Sequence, residues 1–281
     1  MSDIAPPLPP MGGPGMLASA LLTLRRRGRG TPSAELRRFR VPPLDAAHVA
    51  TYRAALGFDG PAVPLTYLYL LAQRSHLALM LDRGFPFPVP GMVHIANDLA
   101  WDPGVAGWRA DRPGVIEAGV TSEPPTTSGA RFLTLHARLM QDDRIVARCA
   151  SRYLARRGTR RGAPNDAGPT PSPVGTEVGR YALSADAGRR YAKLSGDANP
   201  IHLWPWSARL LGFRRPIIHG MHTVARIAAE MERGTGAPLR RIDARFVKPV
   251  PIPGEVVLYA DAGRVQAWSG GVLAAEAACE F

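Results

Sequence analysis

Residues 191–221 read YAKLSGDANPIHLWPWSARLLGFRRPIIHGM. Asp197 and His202 stand five residues apart in it, across a turn containing Asn199 and Pro200. Such a turn can bring a carboxylate and an imidazole to face one water molecule. The plain alternative is an Asx turn followed by a satisfied surface histidine. The stretch closes on P-I-I-H-G-M, where a proline introduces a long helix. Met221, Val224, Ala225, Ala228 and Met231 then keep the spacing of one buried helical stripe. Arg226, Glu230 and Arg233 fall on other faces, and Gly234 is the predicted stop.

Working outward, Val256–Ala260 and Val272–Ala278 are short and rich in small or β-branched residues, as in a sheet. A long apolar helix wrapped by about five strands buries its stripe on the sheet's inner face, the arrangement of a hot-dog fold. The same order of landmarks occurs earlier in the chain. Leu36–Val41 matches Gly179–Leu183, and the stretch from Tyr52 matches that from Tyr191. Pro61-Ala-Val-Pro-Leu matches Pro216-Ile-Ile-His-Gly, and Pro113-Gly114 matches Pro253-Gly254. Both halves close on alternating runs, from Arg144 and from Gly271. An internal duplication explains this better than chance likeness of two α+β domains. The expected fold class is therefore α+β, a double hot-dog of two fused units, each a long central helix wrapped by an antiparallel sheet. The expected layout is an N-terminal extension (1–34), a degenerate unit (35–155), a Pro- and Gly-rich linker (156–176) and a catalytic unit (177–281).

Bulk properties narrow the class. The 281 residues are 46% hydrophobic and 21% charged, as in a globular protein with a real core. Pro64–Leu81 is the nearest candidate for a membrane span, but Gln73, Arg74, Ser75 and His76 interrupt it. Met16–Leu24 is apolar and precedes Arg25, Arg26, Arg27 and Arg29, the reverse of a secretory leader, so a cytoplasmic location is expected. A short amphipathic helix packed on the body is the expected structure there. Cys149 and Cys279 are expected to be reduced core thiols. The net charge of +12 favours anionic partners. No basic stripe interleaved with aromatics points to nucleic acid. No Gly-rich phosphate loop or metal-ligand spacing is present, so neither a metal nor a redox cofactor is expected.

The features S-G-D-A-N-P-I-H, A-R-L-L-G-F and P-I-I-H-G-M closely resemble the signature of the MaoC-like, R-specific enoyl-CoA hydratase family. The resemblance covers the second half strongly and the first only through the repeat. It implies the double hot-dog fold, an acyl-CoA or acyl-carrier thioester substrate, and reversible hydration of a trans-2-enoyl thioester. Coenzyme A then enters only as part of the substrate. A fused pair already supplies the two units that single hot-dog chains obtain by dimerising, and a homodimer remains an open expectation.

Hydration needs a group to take a proton from water, a proton delivered to C2, and stabilisation of charge on the thioester oxygen. Asp197 and His202 suit the first two tasks. The backbone N–H of Gly220, at a helix start, suits the third. The expected substrate-binding residues are Ser195, Asn199, His219, Met221, Arg214 and Lys248. Asn199 and Pro200 would fix the turn, while Arg214, Arg215 and Lys248 would reach coenzyme A phosphates or be plain surface charge. The pair Trp204 and Trp206 reads as a packing element. In the first half, Phe58-Asp59 and Pro64-Leu65 replace the Asp and His-Gly elements, so that half keeps the scaffold and loses the proton-handling groups. Related two-unit enzymes suggest a longer acyl chain there, with Tyr67, Tyr69 and Met80 lining its path. Two other readings are thioester hydrolysis on the same fold and a non-catalytic acyl-CoA-binding subunit.

Overall fold

Two long helices, one in each half, supply the apolar surface around which the strands curl. The computed structural model describes residues 5–10, 14–26, 28, 30–127, 129–155 and 172–281. The first half contains α1 (Pro14–Leu22), β1 (Arg37–Val41), α2 (Ala46–Leu56), α3 (Leu65–Leu81), β2 (Met92–Trp101), β3 (Gly114–Ser122), β4 (Arg131–Gln141) and β5 (Arg144–Ala155). The second contains β6 (Thr176–Leu183), α4 (Ala187–Ser195), α5 (Pro205–Leu210), α6 (Gly220–Thr235), β7 (Arg241–Phe246), β8 (Gly254–Asp261), β9 (Arg264–Ser269) and β10 (Val272–Glu280). Most of the expected linker, residues 156–171, lies outside the described residues.

The strands of the first half run in the order β1-β3-β4-β5-β2, every neighbouring pair antiparallel. Those of the second run β6-β8-β9-β10-β7, again antiparallel. One order becomes the other when each strand is replaced by its counterpart, which is what duplication of one hot-dog unit produces. In each unit the long helix lies on the sheet: α3 against β2, β3, β4 and β5, and α6 against β6, β7, β9 and β10. Alternate residues of β4, Leu133, Leu135, Ala137 and Leu139, are buried, as the period-2 geometry of a one-faced sheet requires.

The segment Arg53–Asp59 belongs to the compact unit built by the second half, although it precedes α3 in sequence. Arg226 of α6 donates to the Leu56 carbonyl at 3.1 Å, and Arg233 to the Gly57 carbonyl at 2.6 Å. Arg233 also pairs with Asp59 at 3.1 Å. Asp59, the residue at the place of Asp197, is therefore engaged in an ion pair.

Three details differ from the sequence-based expectation. Helix α6 runs through Gly234, and Gly236 ends it in the left-handed conformation (φ 67°). A glycine inside the last turn costs less than leaving that turn's carbonyls uncapped, so the stop falls at the next residue able to adopt αL. Met231 is only half-buried, while Ile227 and Thr223 widen the buried stripe instead. Near the N-terminus a helix forms, but Leu21, Leu22 and Leu24 stay exposed. What anchors this segment is Arg26, which donates to the carbonyls of Met80, Leu81 and Asp82 at 2.6, 3.0 and 2.7 Å. Those carbonyls lie at the negative end of α3, where a guanidinium is favoured. Both cysteines are free and buried, and burial pushes each thiol up to about 12.

Ile227 is fully buried on α6. Ile227→Ala is expected to destabilise the protein by about 2–5 kcal/mol through lost burial and the cavity left behind. Urea unfolding of the full chain, followed by far-UV circular dichroism, should show a lower midpoint.

Candidate active site

Helix α4 ends at Ser195, and Gly196 caps it in the left-handed conformation (φ 77°). This turns the chain so that Asp197 leads into a short 3-10 turn, Pro200–His202. The loop is built by small polar side chains bonding to nearby backbone. Ser195 Oγ donates to Tyr191 O at 2.8 Å and accepts from Asp197 N at 3.2 Å. Asn199 N donates to Asp197 Oδ1 at 3.1 Å, and Asn199 Oδ1 accepts from Ile201 N at 3.3 Å. Ser195 Oγ and Asn199 Oδ1 thus hold the turn, because short side chains reach the adjacent backbone first.

The segment before α6 comes to the same place by backbone pairing. Ile217 N donates to Ile201 O at 3.2 Å, Ile218 N to Val250 O at 2.9 Å, and Ile252 N to Pro216 O at 2.9 Å. His219 then precedes α6 in an extended conformation and lies flat on His202, the ring centroids 3.6 Å apart at an interplanar angle of 27°. Both rings are buried. Ligating atoms of Asp197, His202 and His219 all lie within 4.8 Å of one another, with Asp197 half-buried.

Partners set the tautomers. A carbonyl oxygen only accepts, so the 2.8 Å contact of His202 Nδ1 with Ile217 O places the proton on Nδ1 and leaves the lone pair on Nε2. Likewise the 3.0 Å contact of His219 Nε2 with Asp197 O protonates Nε2. His219 Nδ1 is buried with no hydrogen-bond partner. Burial lowers the pKa of His202 well below the ordinary imidazole value, and the neighbouring His219 adds to this, against a smaller upward pull from Asp197. Burial likewise depresses His219. The site therefore presents a carboxylate beside a neutral imidazole whose Nε2 is basic in form. That pair can hold and deprotonate one water. The same three groups are also close enough to share a cation.

Some residues at the site were not singled out by the sequence reading. The ring of Tyr191 sits 4.9 Å from that of His219 and 5.3 Å from that of His222, bracing His219 from α4. Gly188 passes so close to the carbonyl of His202 that a β-carbon there would overlap the oxygen. At Gly220 a β-carbon would lie 2.6 Å from the Phe246 ring. A larger residue there would have to displace that ring. The Tyr in S-G-D-A-N-P-I-H's own helix was a visible signal; Gly188 and Phe246 had none, being tertiary neighbours.

Other expectations fare differently. Met221 is buried in the α6 core, while Arg214 and Lys248 are exposed at the surface. Trp204 and Trp206 are exposed, so they are not a packing element; Trp204 touches the guanidinium of Arg189 at 4.2 Å. In the first unit, Tyr67 bonds His48 Nδ1 through its hydroxyl at 2.9 Å, and Tyr69 stacks on His94. A groove lined by Glu35, Arg37, Leu79, Asp82 and Phe85 belongs to that unit and includes none of the site residues.

Residues 169–276 match the family model described as "MaoC like domain". The second half of the chain thus carries a MaoC-like domain. The chain is similar to 3-hydroxyacyl-thioester dehydratase X of Mycobacterium tuberculosis, 29% identical over 232 residues, covering 79% of this chain and 78% of that protein. It is similar more locally to the peroxisomal enoyl-CoA hydratase 2 of Arabidopsis thaliana, 39% identical over 70 residues, or 24% of this chain and 22% of that one. The crystal structure of HtdX of Mycobacterium tuberculosis superposes with a TM-score of 0.68 at 26% identity, covering 87% of this chain and 99% of that one. The likeness thus extends through both halves, beyond the span that the motif alone reaches.

Two outcomes test this geometry. Gly188→Ala should displace the His202 turn and lower kcat about 10²-fold while the far-UV spectrum is unchanged. Stability should fall on acidification. His76 and His222 are pushed down to about 3 by burial, and His202 and His219 are lowered too. Below the ordinary imidazole pKa the unfolded chain binds protons that the folded one does not. Each such group then removes up to about 1.4 kcal/mol per pH unit. Denaturation midpoints should be level near neutrality and drop steadily below about pH 6.5.

Proposed function

We propose that the protein reversibly hydrates trans-2-enoyl thioesters to (R)-3-hydroxyacyl thioesters. The observation that carries this reading is the convergence of Asp197, His202 and His219 within 4.8 Å, beside the first turn of α6. Water is held between the Asp197 carboxylate and His202 Nε2. One of them takes its proton as the oxygen bonds to C3, and a proton is delivered to C2 on the same face. The electron pair of the double bond moves toward the thioester carbonyl, where the Gly220 N–H meets the developing charge. First-turn N–H groups lack intrahelical acceptors, and α6 has no side-chain cap competing for them. Dehydration is the reverse sequence. The names of the two curated relatives, a 3-hydroxyacyl-thioester dehydratase and an enoyl-CoA hydratase, support the same reaction class.

His202 acts in its neutral form, and no cofactor is needed beyond the carrier of the acyl group. The Asp–His pair suits addition of water to a double bond. Hydrolysis of the thioester would instead release a thiol.

Absorbance of the enoyl-thioester band with crotonyl-CoA and a longer enoyl-CoA should fall without release of free thiol, and chiral analysis should find the R product. Asp197→Asn and His202→Ala should each lower kcat by about 10²- to 10⁴-fold with the fold intact. Thiol release by the wild type would mean hydrolysis, and near-normal turnover by either variant would remove that residue from the mechanism. Dialysis against EDTA should leave turnover unchanged; a loss restored by a divalent cation would make the trio a metal centre.

A further inference from the structure

Helix α5 follows directly on the turn that holds His202. It is fixed there by Ser207, whose hydroxyl bonds the Pro200 carbonyl at 2.7 Å and the Trp204 carbonyl at 3.0 Å, and by the buried Ala208. On this rigid support the large apolar side chains face outward. Trp206 is 64% and Leu210 79% exposed, four residues apart and so on one helix face. Trp204 and Leu211 flank them, also exposed. Single exposed apolar residues need no explanation, but four large ones within eight positions form a patch of the kind that marks an interaction site.

The chain on either side of the patch is basic, and Arg189 lies over the Trp204 ring. Between Ala187 and His219 the chain carries Arg189, Arg190, Lys193, Arg209, Arg214 and Arg215 against the single acid Asp197. Arg190 pairs with Asp186 at 3.3 Å. Among the described residues, Lys193, Arg209, Arg214 and Arg215 have no carboxylate partner. We propose that this face of α5 docks an acidic acyl-carrier protein, which presents the enoyl group on a phosphopantetheine arm to the Asp197–His202 loop. The proposal rests on the hydratase reading and names the carrier of its substrate.

Charge decides among the occupants. A second copy of a chain with net charge +12 would set like charges face to face, which opposes association. An anionic carrier protein would be steered to these basic residues. The phosphates of free coenzyme A would meet the cations but cannot cover four large apolar side chains. The position on the catalytic loop further suits a partner that delivers substrate there.

The test compares one crotonyl group presented on a type II acyl-carrier protein and on bare pantetheine. Trp206→Ser/Leu210→Ser together, and Arg209→Glu separately, should lower kcat/KM for the carrier-borne substrate about tenfold or more, as loss of an interface anchor does. Turnover of the pantetheine thioester should stay unchanged. Calorimetric binding of the unloaded carrier protein should weaken in parallel and fall with rising salt. Variants that bind and use the carrier-borne substrate as the wild type does would overturn the proposal. So would equal losses on both substrates, patch-dependent dimerisation, or patch-dependent adsorption to phosphatidylglycerol vesicles without a change in carrier kinetics. Carrier binding lost in the variants while the wild type hydrates neither substrate would keep the docking surface and reject the hydratase reading.

Discussion

His202 lies on His219 at 3.6 Å between ring centroids, away from bulk water, and the rest of the site is arranged around that contact. Two imidazoles so close cannot both be cations, because like charges at this distance in a buried setting repel strongly. Burial keeps them neutral, and a neutral ring has one N–H, which needs a fixed acceptor to set its tautomer. The carbonyls of Ile217 and Asp197 serve that need. Each carbonyl belongs to the segment that carries the other histidine or its loop, so the stack, the tautomers and the loop are one construction.

The consequence reaches into the scaffold. Ile217 can face His202 only because its segment is paired to Ile201 and, through Ile218, to Val250. The loop can sit over α4 only because Gly188 has no β-carbon to meet the His202 carbonyl. Tyr191 supports the stack from the same helix. The first unit repeats the sheet order and the central helix, while Asp59, which falls in the second unit, is held in an ion pair with Arg233. Duplication preserved what burial demands, the helix and its sheet, and left the polar loop free to diverge.

How much was legible in the sequence follows the range of each interaction. The period of apolar residues marks α3 and α6 because burial of a helix face repeats locally every three to four residues. The matched order of landmarks indicates two units of one fold for the same reason. Asp197, His202 and Gly220 stand out because a fixed spacing in one loop and a helix start are local features. The end of α6 was misplaced by two residues, since Gly234 and Gly236 are alike in sequence and only the backbone path distinguishes them. Trp204 and Trp206 read as packing because bulk alone does not tell which way a side chain points.

By itself, then, the order of residues determined the pair of hot-dog units and the loop that bears the carboxylate and imidazole, because periodicity, turns and helix starts are encoded between near neighbours. Tertiary structure alone decided that His219 covers His202, that Ser195 and Asn199 brace the turn, that Gly188 and Phe246 set the clearances, and that α5 turns its tryptophans outward. These depend on carbonyls and rings brought together from distant parts of the chain, and no local pattern records which distant group will fill a given space.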